Sequence, residues 1–139
     1  MRHLLDTCIV SELRKGERAD PGVRSWFAAA ADGELFTSVL VLGQLRRGIE
    51  SIRRRDLHAP SALDRWLARM SKTFADRLLP VDGAVADRWG LLNVPDPVPV
   101  IDGLLAATAL THDLTLVTRN VRDVEGTGAQ PLDPFTGDR

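Results

Sequence analysis

The sequence predicts an α/β protein built on a central, mainly parallel sheet with helices on both faces. Three observations carry this. Short apolar runs of strand length alternate with helix-length segments along the chain. The runs are separated by more residues than a hairpin needs, which favours parallel crossovers. No internal repeat, low-complexity tract or linker interrupts the alternation, and 139 residues with 44% hydrophobic content suffice for one core, so a single domain spanning 1–139 is expected.

The elements follow in order. His3 to Leu5 reads as a strand that ends at Asp6, followed by a short helix carrying Cys8, Ile9, Val10 and Leu13 and stopped at Lys15-Gly16. Asp20 caps and Pro21 opens a second helix through Trp26 and Phe27 to Ala31. Glu34 to Thr37 is a second strand, and Ser38 caps a helix reaching about Arg54. Its start, Val39-Leu40-Val41-Leu42-Gly43, is apolar all round and is expected to be buried. Pro60-Ser61 starts a helix striped by Leu63, Leu67, Met70 and Phe74. Leu78 to Val81 is a third strand, and Asp82 caps a helix with Val85, Trp89 and Leu92. The run from Val94 to Pro99 holds three prolines and must be a loop. Ile101 to Leu110 forms a small-residue helix, Leu114 to Thr118 a strand, and Gln130 to Leu132 a last short strand.

Composition narrows the function. The longest uncharged stretch, Leu35 to Leu45, is too short for a membrane span, which needs about 18 apolar residues. Asp6 comes too early for a signal peptide, so a cytoplasmic protein is expected. One cysteine, Cys8, excludes a disulfide framework and a cysteine-based zinc site. Cys8 itself reads as a small buried residue, and His3, His58 and His112 form no metal motif. The net charge is only −1, yet arginine supplies 16 of the 18 basic residues, and Arg46, Arg47, Arg53, Arg54 and Arg55 crowd one helix. Such a run is either a solvated face or a guanidinium patch for phosphate or an acidic partner.

In a parallel sheet the usual site is the crevice at the carboxyl ends of the strands. Asp6 closes the first strand, Asp102 stands in the first turn after the proline loop, and Asp123 follows the late strand. Each has a local explanation: Asp6 as a helix cap, Asp102 as a favourable charge on a helix dipole, Asp123 as a turn former. Taken jointly they suggest a shared anionic site. Gln44 projects from its helix near Leu40 and Val41, away from Arg46 and Arg47, and reads either as a structural hydrogen-bonding group or as the occupant of a carboxylate position in that site.

Four blocks then carry a resemblance: Leu4-Leu5-Asp6-Thr7 with Ser11-Glu12; Ser38 through Gly48; Ile101-Asp102-Gly103 through Ala109; and Val117-Thr118-Arg119-Asn120-Val121-Arg122-Asp123. In this order and over essentially the whole chain, the sequence resembles PIN-domain ribonucleases of the VapC toxin type from bacterial toxin-antitoxin modules. The resemblance implies a PIN-like three-layer α/β/α sandwich. It implies catalytic positions at Asp6, Gln44, Asp102 and Asp123, with Mg²⁺ or Mn²⁺ held by Asp6 and Asp102. Thr7, Thr118 and Asn120 stand as supporting polar groups. The implied reaction is hydrolysis of an RNA phosphodiester, often in tRNA, with Arg46, Arg47 and Arg119 placed to contact RNA. The implied partners are a cognate VapB-type antitoxin and a second copy in a homodimer.

This sequence departs from the family at one position. Gln44 stands where the family ordinarily has Glu, so impaired activity is expected. Glutamine keeps the volume and one carbonyl oxygen but carries no charge. A catalytically inactive antitoxin- or RNA-binding module is therefore the alternative reading. A phosphoacceptor receiver domain would need paired acids after the first strand and a lysine after a late one, where this chain has Asp6 alone and Arg119. No P-loop segment exists.

Overall fold

The structure is a computed structural model describing residues 1–58 and 60–136. It contains five strands and six α-helices in the order β1 (His3–Leu5), α1 (Thr7–Leu13), α2 (Pro21–Ala29), β2 (Leu35–Ser38), α3 (Val39–Arg55), α4 (Pro60–Thr73), β3 (Leu78–Leu79), α5 (Gly83–Leu92), α6 (Val100–His112), β4 (Thr115–Val117) and β5 (Pro131–Leu132), with 3₁₀ turns between some of them. The strand order is β3-β2-β1-β4-β5, and all four pairings are parallel.

This order fixes where the site lies. Parallel crossovers are almost always right-handed. The chain steps from β1 to β2 to β3 in one direction, so α1 to α4 cover one face. It then returns past β1 to β4, so α5 and α6 cover the other. The result is the three-layer α/β/α arrangement. Helices α1 to α4 pack on one another, and α5 packs on α6. The direction of winding reverses between β1 and β4, and a crevice opens outside their carboxyl ends. Leu5 pairs with Val117 and Val117 with Leu132, so Asp6, Thr118 and Asp133 stand one residue beyond the same row of the sheet.

The core is made by Leu4, Leu5, Leu116 and Val117 from the central strands against Val41, Leu45 and Ile49 of α3 and Leu105, Ala106 and Ala109 of α6. The small residues of α6 let it lie close to its neighbours, as at Gly103. A Cβ there would meet the Trp89 ring at 3.3 Å.

Several expected boundaries shift, for local reasons. The third strand ends at Leu79 because Pro80 offers no amide for the ladder. Helix α2 stops at Ala29, since Ala30 is already extended at ψ 142°. The expected burial of Val39 to Gly43 is corrected: Val41 is buried, but Val39 is 40% exposed and Gly43 is open to solvent. A helix lying on a sheet hides one stripe only, here Val41, Leu45 and Ile49 at spacings of four. The expected caps hold: Ser38 Oγ accepts from Leu40 N, Asp20 from Gly22 N and Val23 N, and Asp82 from Val85 N.

A candidate carboxylate site at the strand ends

Asp6 is the fixed point of the site. Only 4% of its surface is exposed. Its Oδ1 accepts from Thr7 N at 2.6 Å, and its Oδ2 accepts from the Thr118 hydroxyl at 2.6 Å, a contact that ties the ends of β1 and β4 together. Thr118 Oγ1 in turn accepts from Asn120 N at 3.0 Å, which shapes the loop toward Asp123. Two hydrogen bonds to an anionic oxygen set at these distances leave the carboxylate oriented.

Asp102, in the first turn of α6, faces the same place. Its pKa is raised to about 6, first by burial and then by the negative charges of Asp6 and Asp123, while a hydrogen bond from the Asn120 side chain opposes the rise. Asp102 thus feels the charge of two aspartates that lie far from it in sequence. The 3₁₀ turn Val121–Val124 carries Asp123 on an exposed rim.

Gln44 enters from α3 by another route. The Thr7 hydroxyl donates to Gln44 Oε1, so Thr7 links the amide to Asp6 through its own backbone N–H. Gln44 also lines a cavity of about 270 Å³ with Thr7, Ser11, Arg14 and Trp66. A carboxylate oxygen accepts the same Thr7 hydrogen bond, so the scaffold suits either side chain.

The remaining polar groups divide. Arg119 follows Thr118 and is exposed, and its guanidinium lies over the Phe135 ring, 4.5 Å from the centroid. Arg47 is exposed on α3. Arg46 is engaged: it donates to Asp64 at 2.7 Å and Glu50 at 3.2 Å, and Arg53 binds the same two carboxylates. This network staples α3 to α4; Glu50 lies within the arginine run itself, whereas Asp64 could not be read from that run because it sits on another helix. Cys8 lies against the site, with its thiol 3.7 Å from Asp6 Oδ2. Burial and the Asp6 charge push that thiol up to about 11, so it is an inert thiol and not a nucleophile. His3 stacks edge-on against Trp26, His58 is exposed, and the His112 carbonyl accepts from Arg2.

Among the described residues no group of three His, Cys, Asp or Glu side chains is close enough to form a ready metal cage. The donor chemistry nonetheless fits a hard cation. Asp6 offers a buried carboxylate and Asp102 a half-buried one, and the negative charges of Asp6 and Asp123, which add to burial in raising Asp102, are what a divalent cation would relieve. Asp6 and Asp102 are the groups that would hold it.

The Asp102 shift has a consequence for stability. An unfolded aspartate titrates near 3.9, so between about pH 4 and pH 6 the native state holds more protons than the unfolded one. Stability therefore falls as pH rises through that window. Asp102→Asn removes the penalty and is expected to stabilise the metal-free protein above pH 6 by about 1 kcal/mol after solvent screening, or about 2–4 °C in Tm. Thermal unfolding in chelator at pH 4.5 and pH 7 checks this: the gain should appear only at the higher pH.

Fold and site together define a parallel α/β domain whose strand-end aspartates gather at the switch point. The PIN domain family profile matches residues 3–124, and the chain belongs to the PIN domain family. It is 29% identical over 140 residues to the VapC ribonuclease Y4jK of Sinorhizobium fredii, covering 95% of this chain and 96% of that protein. It is 27% identical to Toxin FitB of Neisseria gonorrhoeae, covering 84% and 86% of the two chains. Among solved structures it resembles FitAcB from Neisseria gonorrhoeae with a TM-score of 0.77 at 24% identity, covering 94% of this chain and 96% of that one. Among the described residues no helix is long and apolar enough to cross a membrane.

Proposed function

We propose that this protein is a divalent-cation-dependent endoribonuclease of the VapC toxin type, with activity reduced by Gln44. The observation that carries the reading is the buried Asp6 carboxylate, tied to Thr118 at the β1/β4 switch point and near enough to Asp102 for its charge to be felt there. Family membership and the relative named as a VapC ribonuclease support the substrate class.

In this reading Asp6 and Asp102 hold Mg²⁺ or Mn²⁺, and Asp123 positions water or phosphate from the rim. The chemistry the cation supplies when bound is activation of water and neutralisation of charge developing on the scissile phosphate. The chain's own part is orientation. Thr7 N–H and the Thr118 hydroxyl fix the two oxygens of Asp6, and Asn120 steadies Asp102. Hydrolysis adds water across one P–O bond of RNA, with tRNA the proposed natural target. Arg119 and Arg47 are free to meet the backbone, whereas Arg46 reaches it only by leaving Asp64 and Glu50.

A VapB-type antitoxin is the proposed protein partner. An apolar cavity of about 310 Å³, lined by Leu5, Val10, Leu13, Phe27, Trp66 and Met70, offers it an anchor site. Phe27 is 37% exposed at its edge. Homodimerisation is proposed through the α5–α6 junction, where Leu91, Val94 and Val100 are exposed.

Gln44 favours one second reading, an inactive module that binds RNA or antitoxin without cleaving. Purified protein incubated with single-stranded RNA and Mn²⁺ separates the two. Cleavage that stops with chelator is the expected result; binding without any cleavage supports the module, and neither binding nor cleavage overturns both.

A further inference from the structure

The family match ends at residue 124, yet the chain continues into β5 and a tail that returns to the site edge. That tail is held by unusual means. The Asp20 carboxylate, besides capping α2, accepts from Thr136 N at 3.0 Å and from the Thr136 hydroxyl at 3.0 Å. Gly22 makes the close approach possible, because a Cβ there would lie 2.2 Å from Pro134 O and 2.4 Å from Thr136 Cγ2. Phe135 N donates to Asp133 Oδ1 at 2.9 Å, and the Phe135 ring is buried to 5% exposure.

Above that ring stands Arg119. Its backbone is pinned from two sides: the preceding Thr118 N donates to Leu132 O at 2.9 Å, and Arg119 N itself donates to Cys8 Sγ at 3.4 Å. Its guanidinium carbon is 4.5 Å from the Phe135 centroid, while the residue as a whole is exposed. A guanidinium lying on an aromatic face keeps its edge N–H groups free for a bidentate contact. A long side chain that is already ordered loses less freedom when it binds.

We infer that Phe135, strapped down through Asp20 and Gly22, is a positioning residue that holds Arg119 ready for an RNA phosphate at the rim of the carboxylate site. The inference rests on the proposed RNA reading. Phe135 touches no substrate and acts through Arg119.

The test measures binding of the full chain to a labelled single-stranded oligoribonucleotide, with Ca²⁺ in place of Mg²⁺, across a salt series. Arg119→Gln removes one phosphate contact and is expected to flatten the slope of log K against log salt by about 0.7. Phe135→Leu keeps an apolar side chain under the strap but removes the aromatic face. It is expected to weaken binding about three- to tenfold, to add nothing further when combined with Arg119→Gln, and to be reversed by Phe135→Tyr. Gly22→Ala, which forces the strap off α2, is expected to weaken binding in the same way. NMR gives a readout that needs no RNA: the Arg119 Nε–Hε resonance should carry a ring-current shift that Phe135→Leu abolishes.

The outcomes separate the two levels. A chain that binds no RNA in any form overturns the RNA reading and Arg119's role as a phosphate contact with it. A chain that binds RNA equally well with Phe135→Leu, or whose two losses simply add, overturns the positioning role alone.

Discussion

Gln44→Glu is expected to raise Mn²⁺- or Mg²⁺-dependent RNA cleavage by about 10- to 100-fold, the range by which groups supporting a metal-bound site alter activity. The exchange hardly changes volume, and the Thr7 hydroxyl that now donates to Gln44 Oε1 finds the same acceptor in glutamate. What changes is charge. A carboxylate adjoining Thr7 brings a further negative charge to a site where Asp102 already feels Asp6 and Asp123. Without metal that charge is a cost, so the variant should unfold at a lower temperature in chelator at pH 7. With Mn²⁺ it should recover, because the cation binds the native state and not the unfolded one. Initial rates on single-stranded RNA, paired with calorimetric Mn²⁺ titration, measure both effects. Equal rates and equal metal affinity in the two forms would remove Gln44 from the site.

The second large effect is expected at Asp6. Asp6→Asn should lower cleavage by about 10²- to 10⁴-fold, as losses of groups acting at a reaction centre do. It should also cost about 1–3 kcal/mol of stability, because the buried oxygens take charge-assisted hydrogen bonds from Thr7 N and Thr118 Oγ1. An amide NH₂ placed toward the Thr118 hydroxyl offers a donor where an acceptor stood. A helix cap would lose stability alone. The shared site makes a further demand: with one neighbouring charge gone, Asp102 should titrate below its present value of about 6. Carboxyl NMR of Asp102 in the variant decides the matter, since an unchanged titration would mean that the two aspartates do not share an electrostatic environment.

Much of the candidate site was legible in the chain because strand ends are written locally. An apolar run broken by an acid, as at Leu4-Leu5-Asp6, or a proline loop followed by Asp102, marks a position at the sheet edge without any knowledge of the neighbours. Gln44 could be placed because a helix has a fixed angular step. The arginines were harder to read. Arg46 and Arg53 belong to one run with Arg47, but only the packing of α4 against α3 brings Asp64 to them and leaves Arg47 outside. Phe135 carried no signal at all, since a lone aromatic near a chain end has no periodicity to place it. Its sole trace in sequence is Gly22 after Asp20-Pro21, where the absence of a side chain is required by a segment more than a hundred residues away.

The sequence by itself determined the alternation of strands and helices, the caps at Asp20, Ser38 and Asp82, and which polar residues end the strands. These depend on neighbours a few positions apart, where backbone geometry and solvation act directly. Tertiary structure alone decided that Asp6, Asp102 and Asp123 share one field, that only one stripe of α3 is hidden, and that Phe135 lies beneath Arg119. Charge interaction and burial depend on distance in space, and that distance is set by the order β3-β2-β1-β4-β5, in which β1 and β4 become neighbours across most of the chain.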